Sequence, residues 1–270
     1  MRLVAKLLQL SATDLANHLG CVHLSALNLA VAEGREARPR RKDPILDLLT
    51  ERGREHEAAY LKHLRAQKLV VAEIRSATGA DSVEATLAAM RDGADGIYQA
   101  PPPDERWHSI ADFLRKVARP SALGSWSYEV TDAKLATETR AGTILQLCVY
   151  SDLLAQLQGA QPEHAYVVAP HHRFEADQFR PEAHRLADYE AYYRLVKRRL
   201  DGALADRTAV TYPEPAQHCD VCNWWVQCNE RRRADDHLCF LAGISRLQIK
   251  ELRTRLNVDT LERLGDLATV

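Results

Sequence analysis

Trp126-Ser-Tyr-Glu-Val-Thr-Asp-Ala-Lys134 is the stretch on which the reading of this chain turns. Its aromatic and β-branched residues predict a strand, in which side chains alternate between two faces. Trp126, Tyr128, Val130, Asp132 and Lys134 then share one face, while Glu129 and Thr131 point the other way. Trp107 to Val117 reads as a second strand, joined to the first by the turn-rich Ala118-Arg-Pro-Ser-Ala-Leu-Gly-Ser125. The two make an antiparallel pair, and Ile110, Asp112 and Leu114 share a face. Asp112 therefore stands among apolar residues, where a charge is costly without a partner. A divalent cation is one such partner.

Outward from this pair, helices and strands alternate. Ser11 to about Val31 reads as a helix, with Ser11 as N-cap and Leu15, Leu19, Leu24 and Leu27 at helical spacing. A second amphipathic helix runs from about Pro44 to Gln67, with Leu49, Gly53, His56, Tyr60 and Leu64 on its stripe. Leu69 to Ile74 and Gly96 to Ala100 read as strands, with a helix from Asp81 to Arg91 between them; Pro101 to Pro103 stop the second strand. A helix from Thr139 to Gln158 ends at Gly159, followed by strands at Ala165 to Ala169 and around Arg173 to Phe179, and then a helix from Pro181 to about Leu204. This order indicates an α/β or α+β fold with a central mixed sheet flanked by helices.

The 270 residues carry a formal net charge of -1, with no low-complexity tract. A chain of that size buries a core without disulfide staples, so its six cysteines call for chemistry or ordinary burial as their explanation. No run approaches the roughly 18 apolar residues of a membrane span, and the Lys6-Leu-Leu-Gln-Leu10 opening turns polar too quickly for a signal peptide. These features predict a reduced, cytoplasmic protein without a membrane partner. Positive charge clusters at Arg38-Pro-Arg-Arg-Lys42, Lys197-Arg-Arg199 and Arg231-Arg-Arg233, which permits a phosphate-binding surface, although each cluster also fits a solvated helix face or loop.

Two carboxylates and a lysine suit phosphodiester hydrolysis. Asp112 and Asp132 offer the oxygen ligands that Mg²⁺ or Mn²⁺ prefer, Lys134 can orient an attacking water, and a neutral His56 can complete the metal shell. Gln146 and Tyr150, four apart on the following helix, can hydrogen-bond a phosphate or Lys134. The plainer alternatives are an exposed Asp132–Lys134 edge pair, a core histidine and two rim polar residues.

Cys219-x2-Cys222-x5-Cys228 has the short-loop spacing with which thiolates bind zinc or iron–sulfur centres. For a fourth ligand, spacing alone prefers Cys239, with His218 and His237 in reserve; Cys21 would close a long loop across the chain. Cys148 and Cys239, each beside apolar neighbours, otherwise read as small buried residues.

The ordered set Gly53-Arg-Glu-His56-Glu57, Ala111-Asp112-Phe-Leu114, Asp132-Ala-Lys134 and Gln146-x3-Tyr150 resembles the RecB-type nucleases of the PD-(D/E)XK superfamily, over about residues 11 to 230. Many relatives have G-x3-H where this chain has G-x2-H. A subgroup that includes the AddB nuclease subunit and the CRISPR-associated adaptation nucleases holds a [4Fe-4S] cluster with one cysteine before the nuclease motifs and three after them. The resemblance implies a PD-(D/E)XK restriction-endonuclease-like core at residues 1–210, with Asp112, Asp132, Lys134, Gln146 and Tyr150 catalytic and His56, Asp112 and Asp132 at the metal. It also implies a cysteine region at 211–233, closed by Cys21 onto Cys219, Cys222 and Cys228. Residues 234–270 resemble the start of a helix-hairpin-helix element, familiar where such a module precedes a helicase region. The implied activity is Mg²⁺- or Mn²⁺-dependent cleavage of DNA, on single strands or ends, with a helicase domain or subunit as a partner. A non-catalytic nucleic-acid-binding module with a zinc–cysteine site is the alternative.

Overall fold

The structure, a computed structural model, describes residues 1–74, 80–101, 104–170 and 179–267. A hairpin of β1 (Arg2–Val4) and β2 (Leu7–Gln9) turns through Ala5 and Lys6, both at positive φ (47° and 71°). Ser11 then caps α1 (Ala12–Gly20), accepting from the Asp14 amide while Asp14 accepts in return from the Ser11 amide. The single helix expected to about Val31 is two: Cys21 is extended (φ -162°, ψ 111°) and separates α1 from α2 (Val22–Ala32). A break of one residue leaves the apolar spacing of both halves nearly intact, so periodicity did not register it.

Helix α3 (Pro44–Ala66) begins at Asp43, whose carboxylate accepts from the Ile45 and Leu46 amides. Only its second half is covered. Tyr60 and Leu61 are buried, whereas Leu49, placed on the stripe by spacing, is 51% exposed.

The main sheet runs β3 (Val71–Glu73), β4 (Gly96–Ala100), β5 (Ala111–Val117), β6 (Ser127–Ala133), β7 (His164–Val168) and β8 (Glu182–Arg185), neighbours in space as in sequence. β3–β4 and β6–β7 are parallel, and the crossovers they require are α4 (Ala80–Arg91) and α5 (Ala141–Gln158); the remaining pairs are antiparallel. The fold is thus mixed α/β, with a six-stranded mixed sheet and nine α-helices among the described residues.

Two sequence expectations shift. Trp107 lies outside β5 and instead bridges Leu10. The segment read as a helix from Pro181 begins as the edge strand β8, passes through a 3₁₀ turn at Leu186–Asp188, and only then enters α6 (Glu190–Ala205). The open edge of β7 supplies backbone partners to residues 182–185 that no local pattern announces. The strand expected around Arg173 to Phe179 falls almost wholly outside the described residues.

Strand parity holds across the sheet. Leu114, Tyr128 and Val130 enter the main core with Leu145, Leu147 and Val149 of α5 and Leu15 of α1, while Phe113 packs on the opposite face against Tyr60 and Leu61 of α3. Gln158, fully buried at the end of α5, accepts from the Tyr128 amide (2.7 Å) and donates to the Tyr128 carbonyl (3.1 Å), fixing α5 to β6. Beyond α6 come a 3₁₀ turn at Gln217–Val221, α7 (Trp225–Ala234), α8 (Arg246–Leu256) and α9 (Leu261–Leu267). Leu238, Ile249 and Val258 form a small separate core there. Among the described residues, no helix is long and apolar enough to cross a membrane.

Candidate functional site

One residue beyond the paired Phe113 and Thr131, Asp112 on β5 and Asp132 on β6 stand opposite each other. Cross-strand opposition on one face puts two carboxylates side by side. Lys134 answers them: its Nζ donates to Asp132 Oδ1 at 3.0 Å and lies 2.8 Å from Oδ2. Asp132 is only 2% exposed, and Oδ2, although within ion-pair reach, accepts no aligned hydrogen bond. Asp112 Oδ2 accepts the Ala133 amide at 3.0 Å.

The electrostatics follow from this crowding. Burial, and then the neighbouring Asp132 charge, hold the Asp112 carboxyl well above its ordinary 3.8; Lys134 offsets only part of this. Burial alone would lower the Lys134 ammonium, but Asp132, Asp112 and Glu57 outweigh it and the net shift is upward, so the lysine stays charged. Tyr150, packed against the main core from α5, is pushed up by burial and then by the two aspartates, which keeps its phenol a proton donor. The carboxylate on the other face behaves differently. Glu129 is 4% exposed, but it accepts the Glu163 and His164 amides (3.0 and 2.9 Å) and the Tyr166 hydroxyl (2.9 Å), and so is satisfied by protein alone.

The remaining sequence candidates are placed less directly. His56 directs Nε2 to the Val168 carbonyl at 2.9 Å, the same oxygen that accepts the Lys134 amide at 3.0 Å. The ring therefore ties α3 to β7 beside the aspartates, and only Nδ1 remains to meet a ligand. Gln146 donates to Thr13 Oγ1 on α1 at 3.3 Å. The residue that sequence reasoning passed over is Glu57. It accepts a hydrogen bond from Gln99 Nε2, and its charge acts on Asp112, Lys134 and Tyr98, whose phenol is pushed up to about 12 by burial first and Glu57 second. Gln99 holds this contact from a left-handed backbone (φ 58°), a conformation costly for a residue with a side chain. The available signal was adjacency: Glu57 follows His56 on α3, one position off the stripe that drew attention.

A second constellation forms where α1 meets α2. Cys21, Cys219, Cys222 and Cys228 line one pocket, and their thiols interact electrostatically with one another. Cys222 and Trp224 are buried there against Leu24, with Cys21 and Cys228 partly covered. Gly20 permits the approach of the distant segment, because a Cβ at that position would sit 3.2 Å from the His218 side chain. Burial pushes the Cys21, Cys222 and Cys228 thiols up, Cys228 to about 11. Cys21 opens α2, and the Leu24 and His23 amides there offset part of its rise. Cys239 packs with the separate C-terminal core and Cys148 with the main one, so the local sulfur alternative offered by spacing is not the one brought together. Among the described residues, no three His, Cys, Asp or Glu side chains converge on the position of a single ion.

The three residues of Arg231-Arg-Arg233 are not equivalent: Arg231 and Arg233 are exposed and Arg232 is buried. Arg231 stacks over Tyr212 and pairs with Asp235, Arg233 stacks over Phe240, and Arg232 is 4% exposed. Lys197 is likewise occupied, with Asp152 and Tyr193. No protein-family model and no curated protein matches the chain, so the site is read from its own geometry.

Proposed function

We propose that this chain is a metal-dependent nuclease of RecB-type, PD-(D/E)XK character, acting on DNA single strands or ends and stapled by a cysteine-ligated cluster. The observation that carries the reading is the juxtaposition of Asp112 and Asp132, one of them 2% exposed with an oxygen free of aligned hydrogen bonds, beside a charged lysine. Two ionised carboxylates buried together cost several kcal/mol without compensating positive charge; with one lysine beside them the metal-free pair is relieved by keeping Asp112 protonated, and a divalent cation would let both ionise. Glu129 shows how this same sheet satisfies a carboxylate whose role is structural.

Asp112 and Asp132 would hold Mg²⁺ or Mn²⁺, ions that take one or two carboxylates and keep several waters, while Glu57 adds negative charge from α3 and His56 keeps Nδ1 as a further donor. Such an ion, when bound, supplies an activated water and neutralises charge on phosphate oxygens. The protein's own groups do the rest. Lys134, held against Asp132, presents a fixed ammonium to a phosphate or to the attacking water. Tyr150 keeps its proton and offers a hydrogen bond to the same region. Gln99 holds Glu57 in place.

For the cysteines, thiolate chemistry selects zinc or an iron–sulfur centre. The four sulfurs share a pocket without converging on one ion position. The order of one cysteine ahead of the sheet and three behind it, through its resemblance to the cluster-bearing nucleases, is the ground for preferring a four-iron, four-sulfur cube over a single zinc.

The test is cleavage of single-stranded, blunt duplex and circular DNA with and without Mg²⁺, by the full chain and by Asp112→Ala, Asp132→Ala and Lys134→Ala. Each variant is expected to fold and to lose about two or more powers of ten in rate. Wild-type rates in all three would remove this site from the reaction.

A further inference from the structure

Arg232 presents a charge problem that nothing else on α7 shares. It is 4% exposed, and a guanidinium cannot shed its proton to relieve burial. The carboxylates nearby are taken: Asp235 by Arg231, and Glu214 by Arg253 and His237. Among the described residues none forms an ion pair with Arg232. Its Nη1 donates to the Pro213 carbonyl at 3.3 Å and lies 4.0 Å from Cys219 Sγ, while its Nε is buried with no partner at all. Its charge also acts on Cys228.

A buried cation with an unused donor implies an anion close by. The groups in place to be that anion are the thiols, and neutral thiols do not serve. Four thiolates around a metal core do. Such a centre is doubly negative whether the core is zinc or an oxidised four-iron, four-sulfur cube, and sulfur accepts N–H donors. The Ala216 amide already donates to Cys219 Sγ at 3.4 Å, so this sulfur is approached by two donors.

We propose that Arg232 is a positioning residue for an anionic metal centre on Cys21, Cys219, Cys222 and Cys228, compensating its charge and orienting Cys219. The proposal rests on the cysteine-centre reading above and adds to it a requirement for one specific buried cation. The residue neither binds the metal nor touches substrate; it acts through the sulfur. Outer partners of this kind typically change metal affinity by about 10- to 100-fold when removed.

The experiment uses the full chain, purified anaerobically, as wild type, Arg232→Gln and Arg232→Lys. Iron, acid-labile sulfide and zinc are quantified, metal release to a chelator is timed, the visible spectrum is followed through a reductive titration, and circular dichroism checks folding. Arg232→Gln is expected to release metal at least about 10-fold faster than wild type. Where the centre is a cluster, its reduction potential should also move negative, because a neighbouring positive charge favours the electron. Arg232→Lys, which keeps the charge, should recover the potential and most of the retention. A folded Arg232→Gln with wild-type metal content, release rate and potential overturns the proposal. Should Arg232→Gln fail to fold, Arg232→Lys decides: a folded lysine variant that loses metal overturns charge compensation, and one that retains it supports it. Wild-type protein without bound metal would instead overturn the centre itself, and Arg232's role with it.

Discussion

Replacing Asp112 by Asn should stabilise the metal-free carboxylate site while abolishing its response to Mg²⁺, an opposition of sign that a merely structural acid pair would not give. The side chain of Asn mimics a protonated Asp112. Its oxygen still accepts the Ala133 amide, as Asp112 Oδ2 does at 3.0 Å, and its NH₂ can donate to Asp132. What disappears is the charge repulsion. Because the folded protein raises the Asp112 carboxyl above its ordinary 3.8, the stability of the wild type is greatest below that value and declines as pH rises through the elevated folded pKa. Asn has no such decline. The variant's advantage should therefore be absent under acid conditions and grow towards neutral pH. Relief of this kind is worth about 1 kcal/mol, or roughly 2–4 °C in Tm for a domain of this size. Excess Mg²⁺ at about 100 times its Kd should stabilise the wild type by about 2.7 kcal/mol and leave the variant nearly unmoved. Thermal melts with the cysteine centre intact, in chelator and in Mg²⁺, at several pH values, measure both effects. An Asp112→Asn protein that is less stable than wild type in chelator at neutral pH, and equally responsive to Mg²⁺, would refute the reasoning.

Two further outcomes test the rest of the assignment. Anaerobically purified protein should be brown, with iron and sulfide; Ser at Cys21, Cys219, Cys222 or Cys228 should remove the colour and lower Tm, while Cys148→Ser and Cys239→Ser should keep it. A colourless zinc protein that loses its metal in Cys239→Ser and not in Cys21→Ser would reverse the choice of fourth ligand. Glu129→Ala should cost about 3 kcal/mol by chemical denaturation, since two amides and a hydroxyl lose their acceptor, yet leave any Mg²⁺ response intact; a loss of that response would move Glu129 into the site.

Much of this is legible in the amino-acid sequence. The alternation in Tyr128-Glu-Val-Thr-Asp132 assigned Asp132 and Glu129 to opposite faces because a pleated strand leaves no other choice. Ser11 and Gly159 marked helix ends because capping chemistry is local. What the sequence could not supply were the relations that depend on distant partners. The Cys21 break lies between two helices with compatible periodicity, and β8 is a strand only because β7 offers it an edge. The same holds at the sites. Glu57 joins the aspartates only through the way α3 lies on the sheet, and His56 spends Nε2 on a carbonyl 112 residues away. Arg232 looked like one of three surface arginines until α7 turned it inward beside Cys219, while its neighbours stacked on aromatic rings. Local pattern fixes which face of an element a side chain occupies; what that face meets depends on chain closure over a hundred or more residues, and only the tertiary structure decides it.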